Sequence, residues 1–258
     1  MIIDCHCHAG PGDGFRGPWD TEAPLRRFMR WSREAGISRT VLFPAFHSDY
    51  TVANEHVARI VRGCPKRFWG FCFVHCERDR GRIESMVGTC VERDGFCGIK
   101  CHRMDARITR ETLDAARRFN VPILYDPMAE VAEVDLYAPQ YPDVNIIIPH
   151  LGSFADEWRA QFMIADVLAR RPNVYTDTSG VRRFEMLQRA VQVGGAHKIL
   201  FGTDGPWLHP ALELAKVRLL GLAPDQERAI LGGNLRRLIG MKDELLVTPA
   251  YAPASVRR

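Results

Sequence analysis

No stretch of this sequence stays apolar long enough to cross a membrane. Its first residues carry neither the basic segment nor the apolar run of a secretory signal. Lysine and arginine form no block: the net charge of +4 is spread along the chain, which argues against a nucleic-acid surface and mildly favours anionic small molecules. The eight cysteines lack zinc-finger spacing (Cys5-x-Cys7, Cys97-x3-Cys101), and several sit inside apolar runs, among them Cys72, Cys97 and Cys101. That usage suits buried reduced thiols in a cytoplasmic protein better than a disulfide framework. No Gly/Ser linker or break in composition divides the 258 residues, so one domain is expected over the whole length, with an irregular tail after about residue 242. A dinucleotide fingerprint is also missing, since Gly10-x-Gly12-x-Gly14-x2-Gly17 has the wrong spacing for G-x-G-x-x-G.

What the chain does have is an alternation of short β-branched runs with helical patterns. Strands are expected at the N-terminus and over residues 39–46, 68–74, 95–102, 121–126, 144–150, 173–178 and 198–204. Helical spacing follows each of them, the first helix running from about Thr21 to Ala35. Eight strand-then-helix units at roughly 30-residue spacing predict an α/β protein whose parallel sheet closes into a (β/α)8 TIM barrel. The competing architecture is an open doubly wound sheet.

Catalytic groups of such a barrel stand at the C-terminal ends of its strands. Here those ends carry His6 and His8, Lys100 and His102, Asp126, His150, Asp177 and Asp204. Ionisable groups closing apolar runs are costly to bury unless they pair or bind a metal. In Asp4-Cys5-His6-Cys7-His8, strand alternation places Asp4, His6 and His8 on one face, where two neutral imidazoles can converge on one ion. Lys100 reads either as a carboxylated lysine bridging two metals or as a cation that binds a substrate carboxylate, with a salt bridge to Asp126 or Asp204 as the structural alternative. His102 is a candidate substrate contact. Arg182 and Arg183 are candidates for a bidentate carboxylate clamp. Arg16, in the glycine-rich first loop, is a candidate lid residue, and Trp207 a candidate cover for the pocket. His47 and His75 follow strands and read as mouth positions.

Taken together, Asp4-x-His6-x-His8, Gly98-Ile-Lys100-x-His102, Pro149-His150-Leu-Gly-Ser153, Phe201-Gly-Thr-Asp204-Gly-Pro-Trp207 and Gly233-Asn234-Leu-Arg-Arg-Leu238 resemble the amidohydrolase superfamily. The likeness is to its branch of decarboxylases, hydratases and lactonases acting on unsaturated or aromatic acids, and it covers nearly the whole chain. It implies that His6, His8 and Asp204 bind a divalent ion, with Asp204 also able to accept a proton, and that His150 is an acid/base or substrate-polarising residue. Where the branch carries a histidine ligand on strand five, this chain has Asp126, which becomes a candidate ligand. Zinc is the first expectation for the ion, manganese or another divalent ion the second, and a metal-free site the third. The function implied is a metal-dependent hydrolase or non-oxidative decarboxylase of a small carboxylate-bearing substrate. A metal-independent lactonase and a non-catalytic binding barrel are the alternatives. Neither nucleic acid nor membrane is an expected partner, and the sequence is compatible with a homo-oligomer.

Overall fold

Ten residues, β1 (Ile2–Pro11), open the chain as a strand. The computed structural model describes residues 1–14, 22–23 and 25–241. Arg16 and the tail after 242 lie outside them. A two-residue strand, β2 (Glu22–Ala23), pairs antiparallel with the end of β1. Every other strand pairing is parallel. One sheet has the order β2-β1-β3-β4, with β3 (Ile37–Pro44) and β4 (Phe68–Gly70). The other runs from β5 (Cys72–Phe73) through β6 (Ile99–His102), β7 (Ile123–Asp126), β8 (Ile146–Ile148) and β9 (Val174–Asp177) to β10 (Ile199–Leu200).

Two seams join the sheets. β4 and β5 are halves of one strand: between them, Phe71 N–H donates to the Leu42 carbonyl (2.9 Å), and Cys72 N–H reaches the Gly98 carbonyl (2.8 Å). On the far side, Cys5 N–H donates to the Phe201 carbonyl (2.9 Å) and His8 N–H to the Gly205 carbonyl (2.6 Å). First and eighth strands thus lie side by side, as the (β/α)8 barrel requires.

The helices α1 (Leu25–Glu34), α2 (Tyr50–Gly63), α3 (Ile83–Gly88), α4 (Arg110–Phe119), α5 (Val134–Tyr137), α6 (Trp158–Arg170), α7 (Phe184–Arg189), α8 (Pro210–Leu219), α9 (Pro224–Arg228) and α10 (Asn234–Leu238) follow in order. Apolar residues facing outward from the strands, such as Cys7, Leu42 and Ile148, form the large core with Phe28, Val57 and Ile164 from the helices. A second cluster fills the barrel interior: Ile3, Cys5, Val41, Phe43, Phe71, Leu124, Ile147, Tyr175 and Leu200, joined by Leu235 and Leu238 of α10. Strands buried on both faces read as nearly continuous apolar runs, which is why they were visible in the sequence.

β1 departs from simple alternation. Asp4 pairs with Thr40 and Cys7 with Leu42, so three steps on β1 oppose two on β3. One extra residue makes a bulge at Cys5-His6. Before it, Ile3 and Cys5 face the interior; after it, Cys7 and Ala9 face the helices and His6 and His8 turn inward. The expectation that Asp4, His6 and His8 share a face is therefore corrected: the bulge separates Asp4 from the histidines. Asp4 accepts hydrogen bonds from Thr203 N–H (2.9 Å), Thr203 Oγ1 (2.7 Å) and His6 N–H (3.1 Å), and thereby pins β1 to the stretch after β10.

Candidate active site

At the C-terminal end of the barrel lies a cavity of about 710 Å³. Its polar lining includes His6, His8, Lys100, His102, Asp126, His150 and Asp204, and its apolar walls include Phe46, Met104, Met128, Phe154 and Trp207. Most of the residues singled out at strand ends thus meet in one place. His6, His8, Lys100, Asp126 and His150 are all buried.

Three histidines present the same edge to the cavity. His6 Nδ1 lies 2.8 Å from Asp177 Oδ2, His8 Nδ1 2.8 Å from the Pro44 carbonyl and His150 Nδ1 2.8 Å from the Ser179 carbonyl. Acceptors at each Nδ1 fix the proton there and leave Nε2 as the edge available for chemistry. His6 Nε2 and His8 Nε2 stand 3.3 and 3.7 Å from Asp204 Oδ1. Burial lowers the pKa of both imidazoles, and Asp177 partly restores that of His6. Two neutral nitrogens and one carboxylate oxygen, all within 4.8 Å of one another, form a donor set that suits a divalent transition ion.

Backbone geometry serves this arrangement. His150 and Leu151 both adopt left-handed conformations (φ 58° and 51°), as does Asp204 (φ 53°). Such values in non-glycine residues cost energy and need surrounding contacts to hold them. The turn at His150 sends its N–H to Asp177 Oδ1 (3.0 Å). Asp177 also accepts from Ser179 N–H (3.0 Å) and Ser179 Oγ (2.6 Å). Burial pushes the Asp177 carboxyl up, but the charge and hydrogen bond of His6, with His150 and Ser179, hold it below the usual range. Asp177 was visible only as one more strand-end carboxylate; its part in orienting His6 and anchoring His150 was not. Gly202 belongs to the same design, since a Cβ there would lie 3.1 Å from Asp177 Cγ and 3.1 Å from His6 Cβ. That close approach accounts for the glycine in Phe201-Gly-Thr-Asp204.

Lys100 is 1% exposed, and among the described residues no hydrogen bond reaches its Nζ. The ammonium lies 5.2 Å from the centre of the Phe43 ring. Burial lowers its pKa, against the opposing charges of Asp126, Asp204 and Asp177. Asp126 stands apart from the His6–His8–Asp204 group. Its Oδ2 is 3.1 Å from His102 Nε2 and 3.8 Å from His150 Nε2, and its Oδ1 accepts Met128 N–H (2.8 Å). Trp207 packs on His8, ring centres 4.9 Å apart, and is partly exposed at the mouth.

Arg182 and Arg183 are not brought to the cavity. Arg182 is 74% exposed and bonds Asp156, while Arg183 faces Glu185 at 3.9 Å. Lys100 is the basic side chain that lines the cavity. His47 and His75 likewise lie outside the cavity lining, each accepting backbone N–H groups at Nδ1.

Comparison with known proteins agrees with this geometry. The amidohydrolase family matches residues 3–241. The chain belongs to the amidohydrolase family. It is an amidohydrolase-type enzyme, and its residues His6, His8, His150 and Asp204 line one cavity. None of the functionally curated proteins matches the sequence significantly. Among solved structures, a 2,6-dihydroxybenzoate decarboxylase from Rhizobium is 18% identical, with a TM-score of 0.72, covering 93% of this chain and 98% of its own. A dihydroxybenzoic acid decarboxylase from Polaromonas, solved with manganese and 2-nitroresorcinol, is 20% identical with a TM-score of 0.67 (93% and 96% covered). A probable 2-pyrone-4,6-dicarboxylic acid hydrolase from Acinetobacter baumannii is 17% identical with a TM-score of 0.69 (93% and 99% covered). At these identities the likeness concerns the fold. Among the described residues no helix is long and apolar enough to cross a membrane.

Proposed function

We propose that this enzyme is a divalent-metal-dependent, non-oxidative decarboxylase of a small carboxylic acid with an aromatic or unsaturated body. The observation that carries the reading is the pairing of two features in one cavity: a His6–His8–Asp204 donor set, and a buried lysine with no internal hydrogen bond. Burial costs this ammonium more than the charges of Asp126, Asp204 and Asp177 return, and an anionic ligand would relieve it. The walls contributed by Phe46, Met104, Met128, Phe154 and Trp207 suit the apolar body of such an acid. The manganese-containing Polaromonas decarboxylase, similar in fold, supports both the ion and the substrate class.

His6, His8 and Asp204 would hold the divalent ion, which would supply Lewis acidity toward the substrate's oxygens. The chain's own residues do the rest. Lys100 Nζ pairs with the carboxylate and orients it. His150, whose Nδ1–H is fixed on the Ser179 carbonyl, acts in its imidazolium form and gives up the second ring proton, at Nε2 on the cavity side, leaving the neutral imidazole. That proton goes to the carbon bearing the carboxylate. The carbon–carbon bond then breaks, its electron pair stays on the ring or alkene, and the carboxylate leaves as carbon dioxide. The apolar walls exclude water, which strengthens these charge interactions.

A second reading, hydrolysis of a carboxylate-bearing ester or lactone, is favoured by Asp204, whose carboxylate stands beside both histidine Nε2 atoms, where it would take a proton from an attacking water. The fold-level likeness to the 2-pyrone-4,6-dicarboxylic acid hydrolase agrees with it. Incubation with a panel of aromatic and unsaturated acids, lactones and esters separates the two. The first reading expects loss of carbon dioxide, abolished by a chelator and restored by manganese or zinc. Lactone hydrolysis without decarboxylation moves the assignment to the second. Turnover indifferent to chelator overturns the metal in both.

A further inference from the structure

We propose that Asp126 is not a metal ligand but the fixed partner of His102, so that the ion is held by three protein groups, His6, His8 and Asp204. The inference rests on the metal reading above and deepens it. It concerns the strand-five position, where the resemblance leads one to expect a ligand.

Each oxygen of the carboxylate has a neighbour elsewhere. His102 and Asp126 are register partners on the adjacent parallel strands β6 and β7, so their side chains lie next to each other. His102 Nδ1 accepts the Met104 N–H (3.0 Å), which leaves the ring proton on Nε2, 3.1 Å from Asp126 Oδ2. The other oxygen, Oδ1, takes the Met128 N–H (2.8 Å). Two successive non-glycine residues in left-handed conformations, Met128 (φ 49°) and Ala129 (φ 72°), follow the strand, and Ala129 N–H is tied to the Gly152 carbonyl (2.8 Å). This loop brings the amide onto the carboxylate. Swinging Asp126 to the histidine pair would orphan the Met128 amide in a buried setting, where an unpaired donor is costly, and would take the carboxylate away from the His102 ring. Asp126 accordingly belongs to neither of the donor clusters found among the described residues, His6–His8–Asp204 and His6–His150–Asp177.

An ion with three protein ligands keeps more open positions than one with four, and those positions are free for a chelating substrate. The carboxylate of Asp126 then acts as a stationary negative charge beside His150 Nε2, 3.8 Å away.

Metal-stripped protein is titrated with Mn²⁺ and with Zn²⁺ by calorimetry, comparing wild type with Asp126→Asn, Asp126→His and His6→Ala. The proposal expects Asp126→Asn to hold the ion within about threefold of wild type, since no donor is lost, whereas His6→Ala loses binding. Asp126→His, which would offer an imidazole from the cavity lining in place of the carboxylate, is expected to tighten binding by about tenfold or more. Loss of affinity in Asp126→Asn comparable to that in His6→Ala overturns the proposal. If wild type takes up neither ion, the metal reading fails by itself, and the His102–Asp126 pairing is judged by long-range proton–nitrogen NMR of the imidazole. An Nε2–H resonance of His102 whose chemical shift changes in Asp126→Asn supports the pairing; an unchanged resonance, or a proton on Nδ1 in wild type, overturns it.

Discussion

Replacing Asp177 by asparagine changes one oxygen into an NH2 group while keeping the shape of the side chain. In the wild-type protein Asp177 is completely buried and accepts five hydrogen bonds: from His6 Nδ1 (2.8 Å), His150 N–H (3.0 Å), Ser179 N–H (3.0 Å), Ser179 Oγ (2.6 Å) and, at 3.9 Å, Cys5 Sγ. Three of these go to Oδ1, and asparagine retains them by keeping its carbonyl oxygen there. Its NH2 then faces the Nδ1–H of His6, donor against donor. His6 escapes by moving its proton to Nε2, the atom 3.3 Å from Asp204 Oδ1, and in doing so gives up the lone pair that the cavity requires. Changes to groups that orient a metal-binding histidine cost about 10–100-fold in metal affinity, or about 1.4–2.7 kcal/mol. The lost buried hydrogen bond costs about 1–3 kcal/mol of folding stability. Calorimetric titration with Mn²⁺ or Zn²⁺, alongside urea unfolding, reads the two effects separately. Wild-type metal affinity in a folded Asp177→Asn protein refutes the reasoning.

Three further outcomes are expected. Lys100→Met removes a buried cation that has no internal hydrogen bond, so the melting temperature should rise while KM for a carboxylate substrate increases about 10–100-fold, a charged hydrogen bond being worth about 1.5–3 kcal/mol; an unchanged KM contradicts the role. Gly202→Ala presses a methyl group against Asp177 and His6 at about 3.1 Å, and should lower both stability and metal affinity, whereas a neutral result in both would show that the pair has room to move. Asp126 and Asp177 have folded-state pKa values below the ordinary 3.8, so the unfolded chain takes up protons first as the pH falls. Their stabilising contribution is complete above the ordinary carboxylate range and is lost below it, and Asp126→Asn should flatten that acid limb in urea titrations taken across pH.

Much of the site was legible because a parallel barrel puts its chemistry at strand ends, and strand ends are where apolar runs stop. His6, His8, Lys100, His102, His150 and Asp204 were read in that way and line one cavity. What escaped the sequence depends on geometry that no periodicity encodes. The bulge at Cys5-His6 shifts the facing of β1 by one residue, so Asp4 leaves the histidines and ties the first strand to Thr203 instead. The direction of Asp126 is set by the left-handed residues Met128 and Ala129, which are unremarkable as letters. Arg182 follows a strand end but finds Asp156 on the surface, and an exposed arginine takes the nearest accessible carboxylate. Strand limits also differ. The last strand was expected to reach Asp204 but ends at Leu200, because the stretch from Phe201 to Gly205 bonds to β1 rather than continuing along β9.

The central claim is that His6, His8 and Asp204 hold a divalent ion at the floor of the cavity. Anomalous diffraction from crystals grown with Mn²⁺ and recorded on both sides of the manganese edge tests it most directly. The account predicts one peak within bonding reach of His6 Nε2, His8 Nε2 and Asp204, with Asp126 still on His102. A cavity without such a peak in manganese-saturated, active crystals, or a peak bound by Asp126 and not by the histidine pair, contradicts it.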